Sequence, residues 1–252
     1  MFWLSPLPAE DLFTLAGPEG RHAATVRRLR PGEPVDVTDG QGRVLECEVV
    51  AVRRDEIDCA VRQRADAVAP RPRVVIVQAL AKGDRGERAV EMLTEVGVDE
   101  IVPWSAGRSV VRWEGERGVR ARERWARTAT EAAKQSHRLH WPVVGELVGP
   151  GELARRVSAA TLAVALHEQA ELPLVGLVRS QLPGVAARDG AAAEILLVVG
   201  PEGGLADAEV AALRHAGAVV ARLGPTVLRT STAGVVAASV VLAELGRWDG
   251  PA

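Results

Sequence analysis

Two periodicities run along the chain, and one gives way to the other near residue 70. In the amino-terminal part, apolar and polar residues alternate at Val35–Thr38, Arg43–Val52 and Ile57–Gln63. A period of two puts every second side chain on one face, which predicts half-buried strands. Asp39-Gly40-Gln41-Gly42 predicts a hairpin turn between the first two. Its Gly-x-Gly is followed by a strand, so it predicts no dinucleotide loop. A short helical piece, Arg21–Leu29, ends at Pro31-Gly32. The expected result is a small β-barrel or β-sandwich. Residues 65–72, ADAVAPRP, hold two prolines and small side chains without periodicity, so they read as a linker. The boundary placed there predicts domains at 1–70 and 71–252.

Beyond it the pattern becomes α/β. Val74–Leu80 is a nearly unbroken apolar run, as expected of a strand buried on both faces. Further strands are predicted at Glu100–Pro103, Leu162–Leu166, Ile195–Val199 and Ala218–Leu223. Helices are predicted at Arg85–Val96, Arg117–Arg138, Leu174–Ser180, Asp207–Ala216 and Thr232–Leu245. Strands alternating with helices predict a mostly parallel sheet covered on both sides.

Composition narrows the class. Of 252 residues 47% are hydrophobic, which excludes a disordered chain and supports a core without disulfide staples. Cys47 and Cys59 are the only cysteines, and both sit in apolar alternations, so they read as small buried side chains. No CxxC, HExxH or Cys/His cluster occurs, so no metal site is expected. The start of the chain lacks a basic segment and a long apolar run, and the longest apolar stretch, near Ala233–Leu245, is too short for a bilayer. A soluble, cytoplasmic protein without membrane contact is the expectation.

Two strand-to-helix loops carry candidate chemistry. Gly200-Pro201-Glu202-Gly203-Gly204 follows Ile195–Val199, and ligands in open α/β sheets bind at the carboxyl ends of strands. Glycines there admit a ligand close to the backbone and leave amides free to donate; a tight turn without a ligand is the alternative. The second loop, LGPTVLRTST from Leu223, could sandwich an apolar or heteroaromatic group between Leu223 and Leu228, with Thr230, Ser231 or Thr232 capping the last helix. Arg229 is a permanent cation beside a helix amino terminus, where the macrodipole disfavours it, and that local cost marks it as functional. The two loops follow neighbouring strands, so they are expected to build one pocket. GxxxxGK[ST] and GxSxG are absent, and no GxGxxG follows an early strand of the α/β part. P-loop phosphoryl transfer, an α/β-hydrolase and an ordinary Rossmann enzyme are therefore disfavoured.

Charge changes the picture last. The net charge of −2 argues against nucleic acid only as a sum. Residues 1–70 carry −3, residues 71–145 carry +4 and residues 146–252 carry −3. Between Arg108 and Arg138 nine basic residues face four glutamates, with Trp113, Trp125 and Trp141 in or beside the run. Clustered arginines with aromatics suit phosphates and stacked bases. Arg108, Arg112, Lys134 and Arg138 are therefore candidate RNA contacts. His22, Arg27 and Arg30, on or beside the short helix, join them.

Several motifs occur in one order: KGDR at Lys82, TEVGV at Thr94, IVP at Ile101, RSV at Arg108, EAAKQS at Glu131, GPEGG at Gly200 and LGPTVLRTSTA at Leu223. In this combination the chain resembles the bacterial 16S rRNA (uridine-N3)-methyltransferases, a family of SPOUT methyltransferases. His22–Gly42 resembles that family's amino-terminal PUA-like domain. The resemblance spans nearly the whole chain. It implies a PUA-like β-barrel followed by an α/β domain with a carboxyl-terminal trefoil knot. S-adenosyl-L-methionine is then held by Leu166, Gly200, Pro201, Glu202, Gly203, Leu223, Gly224, Leu228 and Thr230. It also implies a homodimer joined through the last helix, and methylation of N3 of uridine 1498 in 16S rRNA of the assembled small ribosomal subunit. Arg229 is the expected catalytic residue, stabilising the uracil anion or holding a phosphate, and Glu202 the candidate base. The family pattern has glutamate where Ser231 stands, which reads as a structural position. A non-catalytic RNA-binding assembly factor, or an enzyme acting on another RNA, are the alternatives.

Overall fold

A computed structural model describes residues 1–186 and 193–249. The chain forms two units: residues 1–69 with 133–141, and residues 70–132 with those from 142 onward. The expected end of the second domain, at residue 252, lies outside the described residues.

The first unit is built on one five-stranded sheet. Its strands are β1 (Phe2–Trp3), β2 (Leu12–Leu15), β3 (Pro34–Thr38), β4 (Arg43–Val52) and β5 (Ile57–Asp66), in the order β1-β3-β4-β5-β2. The β1–β3 pair is parallel and the others are antiparallel. Alternation selects the buried face: Val35, Val37, Leu45, Cys47, Val49, Ile57 and Cys59 form its core, and both cysteines are free thiols. Strand β5 runs through Ala65 and Asp66, so the irregular stretch begins later than the composition predicted.

The expected helix Arg21–Leu29 is instead α1 (Gly17–Arg21) followed by a π-helix, His22–Val26. Pro18 suits the first turn, and Gly20 lies against the Leu15 and Asp55 carbonyls, where any side chain would collide. The predicted Asp39–Gly42 turn is built against residues 139–141. Gly42 N donates to Leu139 O at 2.9 Å and Trp141 N to Gly40 O at 2.9 Å. The Trp141 ring covers Gly40, whose φ of +73° also requires glycine.

The second unit is a six-stranded, wholly parallel sheet. It comprises β6 (Arg73–Ala79), β7 (Glu100–Trp104), β8 (Val143–Val144), β9 (Leu162–Leu166), β10 (Glu194–Val199) and β11 (Val219–Ala221), in the order β11-β9-β10-β6-β7-β8. Its helices are α2 (Arg85–Val96), α3 (Gly115–Gln135, its last residues in the first unit), α4 (Pro150–Ala159), α5 (Leu174–Ala186), α6 (Asp207–His215) and α7 (Thr230–Glu244). Both faces are dry, which is why β6 and β10 read as unbroken apolar runs. Val74, Ile76, Ile195 and Leu197 pack with α2, α3, α5 and α7. Val75, Val77, Leu196 and Val198 pack on the opposite side with Leu153 and Val157 of α4 and Leu213 of α6. Helix α5 continues through Pro183, beyond its predicted end, because Leu182 and Val185 are buried. Among the described residues no helix is long and apolar enough to cross a membrane.

The amino-terminal edge of this sheet is closed by charge. Glu100 accepts from Arg73 at 2.7 Å and pairs with Arg156 at 2.8 Å, and Glu194 lies within 3.7 Å of both arginines. Burial pushes the Glu100 carboxyl up, but the hydrogen bonds and charges of Arg156 and Arg73 outweigh it and hold it below the usual glutamate value. A depressed native pKa contributes stability that is complete above the unfolded-state value of about 4.3 and lost as pH falls through the native value. Glu100→Gln should therefore flatten the acid limb of the stability curve below roughly pH 5. Urea unfolding between neutral and acidic pH checks this, and an unchanged acid limb contradicts it.

Candidate active site

A parallel sheet brings every strand's carboxyl end to one edge. Because β9 lies between β11 and β10, the loops after these three strands are neighbours. They enclose a cavity of about 490 Å³, a volume typical of small-molecule sites.

The loop after β10 owes its path to glycine at two positions. Gly204 has φ of +70°, and a side chain on Gly203 would press on Arg108 Cβ at 3.2 Å. Arg108 braces this loop, with Nη1 donating to Gly203 O at 3.1 Å and Leu205 O at 3.2 Å. The strand-end carbonyls are satisfied too. Trp104 Nε1 donates to Val199 O at 2.9 Å, and Thr230 Oγ1 donates to Gly200 O at 2.7 Å. Thr230 Oγ1 in turn accepts from Gln78 Nε2 at 3.0 Å. The expected capping of α7 by Thr230, Ser231 or Thr232 does not occur. Arg229 occupies the cap position with extended backbone and no side-chain cap bond, because the Thr230 hydroxyl is spent on Gly200.

The sequence-predicted residues come together here. Leu166, Gly200, Pro201, Glu202, Gly203, Leu223, Gly224, Leu228, Arg229 and Thr230 all line the cavity. Arg229 is exposed and makes no ion pair among the described residues. Glu202 is differently placed from a free base. Its Oε1 accepts from Lys82 N at 3.0 Å and Arg85 Nη1 at 2.8 Å. Burial raises its pKa, but its own backbone N–H, that of Lys82 and the Arg85 guanidinium lower it further, leaving it below the usual range. A carboxylate so held is a weak proton acceptor and a good clamp between the loop and α2.

Sequence reasoning missed Arg85, His167, Glu168 and Val227, which also line the cavity. His167 and Glu168 belong to no glycine-rich motif. The strand-end rule that singled out β10 would have found them had it been applied to β9.

The candidate RNA contacts divide between the units. His22 is half-buried against Phe2, ring centroids 5.7 Å apart, while Arg27 and Arg30 are exposed beside it. Lys134 corrects the expectation of a surface cation. It is buried at 8% exposure, and Nζ lies 2.7 Å from Glu19 Oε1. Arg138 is half-buried in the same unit. In the second unit Arg108 braces the loop as above, and exposed Arg112 donates to Ser105 Oγ at 3.0 Å and Ala106 O at 3.3 Å. Among the described residues no group of three or more His, Cys, Asp or Glu could hold a metal ion.

This architecture, a parallel α/β unit with a glycine-rich strand-end cavity joined to a small β unit, is that of an RNA methyltransferase. Residues 69–242 match the family model described as RNA methyltransferase domain, and residues 15–62 match that described as RNA methyltransferase PUA domain. The chain is 41% identical over its whole length to ribosomal RNA small subunit methyltransferase E of Mycobacterium bovis, covering 94% of that protein. It is 33% identical to the protein of that name from Bacillus subtilis, over 94% of this chain and 93% of the relative. The chain thus belongs to the ribosomal RNA small subunit methyltransferase E family. Its fold matches the crystal structure of such an enzyme from Neisseria gonorrhoeae bound to S-adenosyl methionine, with a TM-score of 0.78, 24% identity and 96% of each chain covered.

Thr230→Val keeps the shape of the side chain and removes the bond to Gly200 O and the nearest acceptor of Gln78 Nε2, which also reaches Thr230 O at 3.3 Å and Ala79 O at 3.4 Å. Leaving buried polar groups unpaired costs about 1–3 kcal/mol. The expected result is a lower urea midpoint with an unchanged m-value. A midpoint equal to that of the parent protein would show that the bridge carries no stability.

Proposed function

We propose that the protein transfers a methyl group from S-adenosyl-L-methionine to N3 of uridine 1498 in 16S rRNA of the small ribosomal subunit. The observation that carries the reading is the convergence of both glycine-containing loops and unpaired Arg229 on one cavity at the sheet edge. The lining fits the cofactor. Leu166, Leu223 and Leu228 offer apolar surface for a flat base, and the main chain of Gly200–Gly204 approaches without side chains in the way. When bound, S-adenosylmethionine supplies a methyl group already activated by its positively charged sulfur.

The remaining work falls to the chain's own groups. N3 of uracil carries a weakly acidic proton between two carbonyls, and its loss spreads negative charge onto both oxygens. Arg229, exposed and without an ion pair at the cavity rim, meets that charge; a fixed cation there costs no reorganisation during the reaction. Glu202 stays ionised and holds the GPEGG loop against Arg85 and Lys82. Arg27 and Arg30 of the first unit and Arg112 of the second supply phosphate contacts. The same reading makes the protein a cytoplasmic homodimer. Helix α7 is apolar nearly all round, and Val235, Val236 and Val240 remain half-buried on it, so a second copy would complete their burial.

Purified protein and labelled donor, offered small subunits that lack the modification, should yield N3-methyluridine on nucleoside analysis; no transfer defeats the reading. Arg229→Ala should lower turnover by about 10²–10³-fold, the range for losing one charge-stabilising donor, with far less change in donor affinity. Glu202→Gln should cost less than the roughly 10²–10⁴-fold supplied by a general base. A larger loss with normal donor binding would return Glu202 to the role of base.

A further inference from the structure

Four permanently charged or carboxylate side chains line the cavity: Arg85, Glu168, Glu202 and Arg229. Two of them cancel, because Arg85 and Glu202 are 2.8 Å apart. Arg229 and Glu168 have no ion-pair partner among the described residues. Glu168 is exposed, on a turn whose neighbouring residues are fixed by hydrogen bonds. His167 N donates to Ala221 O at 3.0 Å, Gln169 N donates to His167 Nδ1 at 3.2 Å, and Ala170 N donates to His167 O at 3.2 Å. The turn places the carboxylate beside the glycine loop, with Oε1 3.8 Å from the point where Gly204 would carry a Cβ.

The donor and its product differ by one methyl group and by the charge on one atom, the sulfur. S-adenosylmethionine has a positive sulfonium. After transfer the sulfur regains its lone pair, and S-adenosylhomocysteine carries a neutral thioether. The adenosine, the α-ammonium and the carboxylate are common to both. Arg229 on the rim repels a cation and is indifferent to a thioether. With Arg229 as the sole uncompensated charge, the cavity would hold the spent product better than the donor. Resting on the methyl-transfer reading above, we propose that Glu168 is the counter-charge for the sulfonium. It sets the preference of the site for charged donor over neutral product, and it lets the product go once the charge has gone.

Titration calorimetry on the full-length protein tests this with three probes: S-adenosylmethionine, S-adenosylhomocysteine and sinefungin, in which a protonated amine replaces the sulfonium. Glu168→Gln should weaken the two charged probes by roughly 5-fold or more, the value of one charge contact at about 4 Å in bulk water, and leave the thioether nearly unchanged. Glu168→Asp should keep part of the preference, and added salt should narrow the gap in the parent protein. Equal weakening of all three probes would mean that Glu168 binds a group they share, and would overturn the proposal. An unchanged preference in Glu168→Gln would overturn it as well. In both cases normal donor binding by the parent protein leaves the methyl-transfer reading intact. Failure of the parent to bind any of the three removes that reading and this inference together.

Discussion

The site depends on one hydroxyl. Thr230 Oγ1 donates to the carbonyl of Gly200 and accepts from the amide of Gln78. It thereby ties together the loop after β10, the first residue of α7 and the interior of β6. These elements are far apart in sequence; Gln78 and Thr230 are buried at the joint and Gly200 is half-buried. Gln78 reaches this position at a cost, since its Oε1 is buried without a protein partner beside Gly234. A buried amide kept despite a stranded oxygen is there for what its nitrogen orients.

Around that joint the loops are braced from several directions, so the cavity belongs to a preorganised site. Trp104 satisfies the last carbonyl of β10, and Arg108 grips Gly203 and Leu205. Glu209 closes the far end, accepting from Ala206 N at 2.8 Å and Gly107 N at 2.7 Å. Glu202 belongs to this scaffolding. A carboxylate that receives a backbone N–H and a guanidinium has little basicity left to accept a proton, and the same contacts tie the glycine-rich loop to Lys82 and Arg85.

The sequence was most legible where burial imposes a strict pattern. Strands β6, β9 and β10 and helix α2 were readable because both faces of a parallel sheet exclude water, leaving runs with few interpretations. The glycines and Arg229 were readable because they violate local preferences. Strands β1 and β8, of two residues each, are too short for a period to appear, and β2 leaves Leu12 exposed. Helix α4 was overlooked although Pro150 at its first turn and Leu153 with Val157 four residues later form a recognisable start and face. Residues 133–141 defeat a linear reading for another reason. They fold with the first unit, and no local property of AKQSHRLHW announces a partner more than ninety positions earlier, as Glu19 is for Lys134.

That segment also changes the meaning of the charge run. Between Arg108 and Arg138 basic residues exceed acidic ones by five. Three of those cations find carboxylates from outside the run: Arg122 pairs with Glu146, Arg124 with Glu87 and Lys134 with Glu19. A linear count therefore overstates the field that a phosphate backbone would meet. Most of these pairs are exposed and worth little to stability, so their effect is to fix where the guanidinium groups sit. On the proposed reading the long-range attraction falls to cations without such partners among the described residues, Arg27, Arg30 and Arg229 among them. Arg229 then stands apart from the run in kind: it lines the strand-end cavity, as does Glu168, and neither has an ion-pair partner among the described residues. On the proposed reading, a site holding one free charge of each sign suits a transfer that begins with a cationic donor and passes through an anionic acceptor.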